Sequence, residues 1–352
     1  MTSAQLQTAE NLTRLGTESA FEVLARAEAL KAEGHEVINL GIGQPDFSTP
    51  EHIVEAAVKA LRDGHHGYTP APGIAPLREA VAADIARLRG VEVDPGNIVC
   101  VPGGKVTMFF AIMIFGEAGA EIMYPNPGFP IYESAINYSG AKAVPIPLLE
   151  EKDFSFDAEE VLSLITPATR LMIINTPANP TGGAVPRAEM DKLAEGLAGH
   201  PHVAILSDEI YGQMTYDGHE HVSLLSYENL RDRLILLDGW SKTYAMTGWR
   251  LGYAVWPTDL AEHATRLAIN CHSCVNAPTQ YAGIAALQGP QGDVDKMMKA
   301  FDERRKVIVA ELNQVPGFRC IEPGGAFYAF PNVSGTGIPS RELEHRFLNE
   351  AV

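Results

Sequence analysis

Cysteine is scarce in this sequence. Four residues among 352, Cys100, Cys271, Cys274 and Cys320, are too few for a disulfide framework in a chain of this length. Cys271 and Cys274 form a CxxC around His272, but no second ligand pair at comparable spacing accompanies them, so no metal site is expected. Long apolar runs are also missing. The best, "MFFAIMIFG", is far below the roughly 18 residues of a membrane span, so no membrane partner is expected. The N-terminal "MTSAQLQTAENLTRLG" has no apolar h-region and no cleavage pattern, which predicts a soluble, cytoplasmic chain. Positive charge is in deficit: 27 Lys and Arg face 44 Asp and Glu. The net charge of −17 repels a phosphate backbone and argues against nucleic acid as a partner. The 32 Gly and 24 Pro fall between periodic segments rather than in tracts, which excludes a fibrous or disordered composition.

What is present is a large apolar fraction, 46%, enough for an extensive core. Helical spacing ending on a glycine marks "ESAFEVLARAEALKAEG", "STPEHIVEAAVKALRDG" and "PLREAVAADIARLRG". "VINLGIG" reads as a short strand between the first two. The middle of the chain then alternates. "NIVCVP", "EIMYP", "KAVPIPL", "RLMIINTP", "HVAILSDEIY" and "LILLDGWS" read as strands. "VTMFFAIMIFG", "GFPIYESAINYSG" and "RAEMDKLAEGLAG" are helices among them. Short apolar strands alternating with helices predict an α/β fold with a mainly parallel sheet covered on both faces. A long polar helix follows around residues 292–315, and "FRCIEPGGAFYAFPNV" reads as two strands about a Gly-rich turn. That change of pattern predicts a large domain over 47–287 and a smaller α+β domain from 1–46 and 288–352.

In such sheets, ligands bind where loops leave the carboxyl ends of the strands. The polar residues at those ends form a set. Gly103-Gly104-Lys105 lies between a strand and a helix, where glycines admit an anion close to the backbone. Asn179 stands in "ANPTGG". Asp208 and Tyr211 stand in "SDEIY", with Asp208 at the core's edge, where an unpartnered carboxylate is costly. Lys242 and Arg250 stand in "WSKTYAMTGWRLGY". An amine, a carboxylate, ring-oxygen donors and a fork of N–H groups together match pyridoxal 5'-phosphate: its aldehyde, ring nitrogen, phenolic oxygen and phosphate.

The chain resembles the class I aminotransferases among the fold-type I pyridoxal-phosphate enzymes, particularly the branch with the bacterial aspartate aminotransferases. The resemblance runs from about residue 19 to 330. It rests on "LGIGQPDFSTP", "GYTPAPGIAPLREA", "PGGK", "YPNPGFPIY", "NTPANPTGG", "SDEIY", "SKTYAMTGWRLGY" and "PGGAFYAFP", in the family's order. It implies a seven-stranded sheet sandwiched by helices, and transfer of an amino group between an L-amino acid and a 2-oxo acid by a ping-pong cycle. Lys242 is implied as the lysine that bonds the cofactor aldehyde and later shifts the proton. Arg250, Gly104 and Lys105 are implied for the phosphate, Asp208 for the pyridine nitrogen, and Asn179 and Tyr211 for the ring oxygen. Phe129 falls where relatives stack an aromatic on the ring, a place a core Phe would also suit. Tyr68 matches the tyrosine that reaches a neighbouring subunit's phosphate, which implies a homodimer with shared sites. Gly43, with Asn179, would line the substrate.

Three features depart from the family pattern. Relatives take the arginine that grips the substrate α-carboxylate from a segment beyond the one matching Val352; nothing here matches it, and activity is expected to fall sharply without it. Ser241 directly precedes the lysine, whereas many relatives place a phosphate-binding hydroxyl three residues before it, where this chain has Gly239. In the aspartate-using branch the lysine of GGK and a Pro-Ser-x-Thr stretch are associated with the distal carboxylate. Here Lys105 is present, but the stretch reads Thr17-Glu18-Ser19-Ala20, and a glutamate pointing inward would repel an acidic side chain. Acidic, aromatic and neutral donors all remain open. A β-lyase on the same scaffold and a non-catalytic effector-binding domain are the alternative readings.

Overall fold

The structure, a computed structural model, describes residues 6–350. Three helices come first: α1 (Ser19–Ala32), α2 (Glu51–Arg62) and α3 (Ala75–Arg89). The alternating region then runs β1 (Ile98–Val101), α4 (Lys105–Phe115), β2 (Glu121–Asn126), α5 (Ile131–Ser139) and β3 (Lys142–Pro147). It continues with α6 (Ala158–Ser163), β4 (Thr169–Asn175), α7 (Arg187–Leu197), β5 (Ala204–Asp208), β6 (Leu234–Gly239) and β7 (Gly252–Val255). Four helices follow: α8 (Thr258–His272), α9 (Ala277–Gln288), α10 (Gly292–Leu312) and α11 (Ser340–Glu350).

The seven strands lie in the order β1-β7-β6-β5-β4-β2-β3. β2, β3, β4, β5 and β6 pair in parallel, while β7 is antiparallel to both β1 and β6. The mainly parallel sheet expected from the sequence is therefore present, and its inner strands are largely apolar because both faces are buried, while the edge strand β3 is partly exposed. β4 shows this: Leu171 and Ile173 face the helices α4, α5 and α8, while Met172 and Ile174 face α3, α7 and α9. Six of the seven strands are legible as apolar runs. β7 is four residues long, follows the Lys242 segment without a turn signal, and was not marked by periodicity.

The strand expected at 37–43 and the pair of strands expected over 318–333 are corrected. Residues 37–43 form no strand, and Ile38 and Leu40 are exposed. Residues 318–333 pair with each other at a single antiparallel bridge, Arg319 to Asn332, while Gly325 bridges instead to Thr215. The backbone of this second segment bonds elsewhere: Gly325 N–H donates to Gly182 O (2.9 Å), Ala326 N–H to Met214 O (2.8 Å), and Tyr216 N–H to Gly324 O (3.1 Å). The turn at its centre is thus bonded to loops at the sheet's carboxyl edge and not to its own flanks. A separate apolar cluster forms there from Tyr211, Met214, Tyr216, Met297, Phe301 and Ala326.

Candidate active site

The carboxyl ends of β4, β5 and β6 deliver Asn175, Asp208 and the turn after Gly239 side by side. After β6 the chain turns tightly: Tyr244 N–H donates to Trp240 O, and Met246 N–H to Ser241 O. This turn carries Lys242. It is anchored by the Trp240 indole, which donates to Gly283 O (3.0 Å), and by Thr49, whose hydroxyl donates to Ala245 O (2.8 Å). The Lys242 amine donates to Gly43 O and lies 5.5 Å from the Phe327 ring and 5.9 Å from that of Tyr211. Burial, with Arg250 close by, brings its pKa down to about 8.

Asp208 is buried, and its acceptors are met by neutral donors only: the Tyr132 hydroxyl (2.6 Å) and the Ile210 N–H (3.3 Å). Burial pushes its carboxyl up to about 7 despite those hydrogen bonds. Its neighbour Glu209 behaves in the opposite way. Against burial, which alone would raise it, Arg89 and His221 hold Glu209 down at about 2. Asp208 ends β5 and Glu209 is the first residue past it, so the two carboxyls meet different neighbours. Among the described residues, Glu209 meets a buried cation and Asp208 meets none. A carboxylate lacking only a cationic partner suits a protonated ring nitrogen.

On the other side, Gly103 has φ +91°, and a Cβ there would collide with the Arg250 guanidinium. A Cβ on Gly252 would likewise strike Gly104 N. Glycines thus let β7, the 103–104 turn and Arg250 converge, and Gly104 and Lys105 open helix α4. Arg250 donates to Thr247 O (2.7 Å) and makes no ion pair among the described residues. A cleft of about 700 Å³ borders it, lined by Thr49, Pro102, Thr247 and Asn276 among others. Amide groups, a guanidinium without a counter-charge, an amine near neutrality and a carboxylate without a cation fit the four functional groups of pyridoxal phosphate.

The remaining expected residues join by contact. Asn179 N–H donates to Asn175 Oδ1 (2.8 Å), and Asn175 Nδ2 donates to Asp208 O (3.1 Å), which links the "NPTGG" loop to the aspartate. The Phe129 ring meets Tyr132 edge-on at 5.9 Å and carries the Lys105 ammonium 5.2 Å from its centroid. Ser241 is buried beside Lys242. Tyr68 is the exception. It is 92% exposed in the single chain and lines a shallow pocket with His65, Cys274 and Asn276. Cys274 and Asn276 also wall the cleft at Arg250, so the two hollows adjoin. Among the described residues, no group of three or more His, Cys, Asp or Glu could hold a metal.

Sequence reasoning missed three residues. Tyr132 and Asn175 both support Asp208. Tyr328 places its hydroxyl against that of Tyr211 and closes on Gly43, where a Cβ would come 2.6 Å from the Tyr328 Oη. "PGGAFYAFP" signalled the segment but not which aromatic turns inward.

Fold and site together define an enzyme built to hold a carbonyl cofactor through a buried amine. A family model described as aminotransferase class I and II matches residues 35–351. The aspartate aminotransferase of Geobacillus stearothermophilus is 38% identical over 328 residues, 93% of this chain and 83% of that one. The aromatic-amino-acid aminotransferase 2 of Thermococcus litoralis is 37% identical over 91% of this chain and 83% of its own length. The crystal structure of the aspartate aminotransferase from Rhizobium meliloti superposes with a TM-score of 0.90 at 36% identity, covering 94% of this chain and 83% of that one. The chain belongs to the class I and II aminotransferase family. It is a pyridoxal-phosphate-dependent aminotransferase.

Proposed function

We propose that the chain exchanges an amino group between an L-amino acid and a 2-oxo acid in two half-reactions at one site, working as a cytoplasmic homodimer. The names of its relatives offer aspartate and aromatic amino acids as donors, with 2-oxoglutarate the acceptor we propose. Domains over 47–287 and over 1–46 with 288–352 would flank the site. One observation carries this reading: a near-neutral amine on Lys242, a buried carboxylate without a cation on Asp208, and Arg250 packed on a glycine turn all converge.

Bound pyridoxal phosphate supplies an aldehyde that condenses with amines and a protonated ring that draws electrons from the substrate Cα. Lys242, as the free amine, would hold the cofactor through its aldehyde and would carry the proton to and from the substrate Cα. Asp208, ionised once it faces a cation, keeps the ring nitrogen protonated. Arg250 holds the phosphate with its planar fork, helped by the amides of Gly104 and Lys105 and the Ser241 hydroxyl. Asn179 and Tyr211 donate to the ring oxygen, Phe129 covers the ring face, and Gly43 with Asn179 lines the substrate. Tyr68 reaches the phosphate held by the partner subunit.

The test is cofactor capture. Wild-type protein should hold a visible chromophore through dialysis and fix it on borohydride reduction; Lys242→Ala should do neither. Covalent fixation in that variant would overturn the lysine assignment. Because the lowered pKa leaves Lys242 protonated below about 8, the capture rate of the apoprotein should rise with pH through that value, followed by stopped-flow absorbance. Release of free ammonia together with pyruvate, in place of conversion of the cofactor to its pyridoxamine form, would identify a lyase instead.

A further inference from the structure

Glu18 and Lys105 form an ion pair, and neither has another charged partner among the described residues. Glu18 is the residue that caps the N-terminus of α1, where the helix dipole also favours a carboxylate. Its side chain is only 16% exposed, against 39% for Lys105. The Lys105 ammonium lies 5.2 Å from the Phe129 ring centre and 5.8 Å from that of Phe21 on α1. Lys105 directly follows the Gly103–Gly104 turn on which Arg250 packs, which sets the pair beside the site, and the charges of both Lys105 and Glu18 act on the Lys242 amine.

We propose that Glu18 is a specificity-determining residue: by neutralising Lys105 it makes the substrate side-chain subsite favour an uncharged side chain over one bearing a carboxylate. The proposal rests on the transaminase reading above. An amino acid that brings its α-carbon to Lys242 carries its side chain into these surroundings. Two cations besides Lys242 act there. Arg250 is committed to the glycine turn and to Thr247 O. Lys105 is then the cation left for a second carboxylate, and Glu18 already occupies it. An acidic side chain must either displace Glu18, stranding a largely buried carboxylate, or sit beside it as a like charge, and either costs affinity. The rings of Phe21 and Phe129 offer an apolar or aromatic side chain a face without such a penalty.

Glu18→Gln removes the charge and keeps the shape and a hydrogen bond to Lys105. The holoenzyme would be titrated with succinate and, separately, with 3-phenylpropionate by calorimetry, and kcat/KM would be measured for aspartate and phenylalanine. In E18Q, succinate should bind about tenfold tighter while 3-phenylpropionate changes by less than about twofold, with the aspartate-to-phenylalanine ratio moving the same way. E18D, which keeps the charge, should retain the wild-type preference. Equal changes for both ligands would reduce Glu18 to a tie for α1, and unchanged binding of both would also sink the proposal. E18S serves as the neutral variant if E18Q does not fold. Wild-type protein that turns over no amino acid at all would sink the transaminase reading; normal turnover with an unshifted preference in E18Q would sink this inference alone.

Discussion

Asp208 and Glu209 are adjacent acids with opposite electrostatic fates. Both are buried, so solvent cannot explain the difference; partners do. Glu209 accepts from Arg89 (2.8 Å), Ser207 (2.9 Å), Ser223 (2.7 Å) and His221 (2.9 Å), while Asp208 accepts only from Tyr132 and a backbone amide. Among the described residues, Tyr132 is therefore the one side chain supporting the form of Asp208 that a cationic ring needs. Tyr132→Phe should weaken cofactor binding about tenfold or more, since a hydrogen bond to a charged group is worth ~1.5–3 kcal/mol. Equilibrium dialysis of the cofactor measures it, with thermal unfolding as the control for packing. Asp208 was legible because a polar residue ends an apolar strand. Tyr132 was not, because its partner lies 76 positions away and its own neighbourhood reads as an ordinary amphipathic helix.

Elements are tied together behind the site by the same neighbour that Asp208 lacks. Arg89, at the end of α3, donates to Glu209 beyond β5 and to Asp238 in β6 (2.7 Å), with every side chain of the group nearly buried. One guanidinium thus joins the strand end that carries Asp208 to the strand that leads into Lys242. Arg89→Met would leave two carboxylates buried together and should lower stability by about 3–5 kcal/mol, read by denaturant unfolding. The low pKa of Glu209 gives the sign of the pH dependence. Its contribution is fully in place above its ordinary value of 4.5 and should be lost as pH falls towards about 2. Glu209→Gln should flatten that acid limb. At this scale most helices and six strands were readable from periodicity. The strands expected at 37–43 and 318–333 were not realised, because apolar alternation states a preference and not a pairing partner.

At the scale of the whole molecule, the site draws on segments far apart in sequence. Gly43 reaches Lys242, Glu18 reaches Lys105, and Tyr328 reaches Tyr211. Tyr68, by contrast, is turned to solvent in the single chain, beside exposed Leu61 and in a hollow adjoining the Arg250 cleft. If it serves a partner's phosphate, the protein should sediment at twice the 38.0 kDa chain mass, and Tyr68→Phe should loosen cofactor without disturbing that mass. A monomer retaining full cofactor affinity would refute the shared site. By itself, the sequence determined the α/β class and the cofactor, because these depend on apolar period and on functional groups at strand ends. Only the tertiary structure decided which charges find partners: that Glu209 has a cation and Asp208 has none, and that Lys105 is taken by Glu18. Charge pairing is a matter of distance and burial, and neither is set by position along the chain.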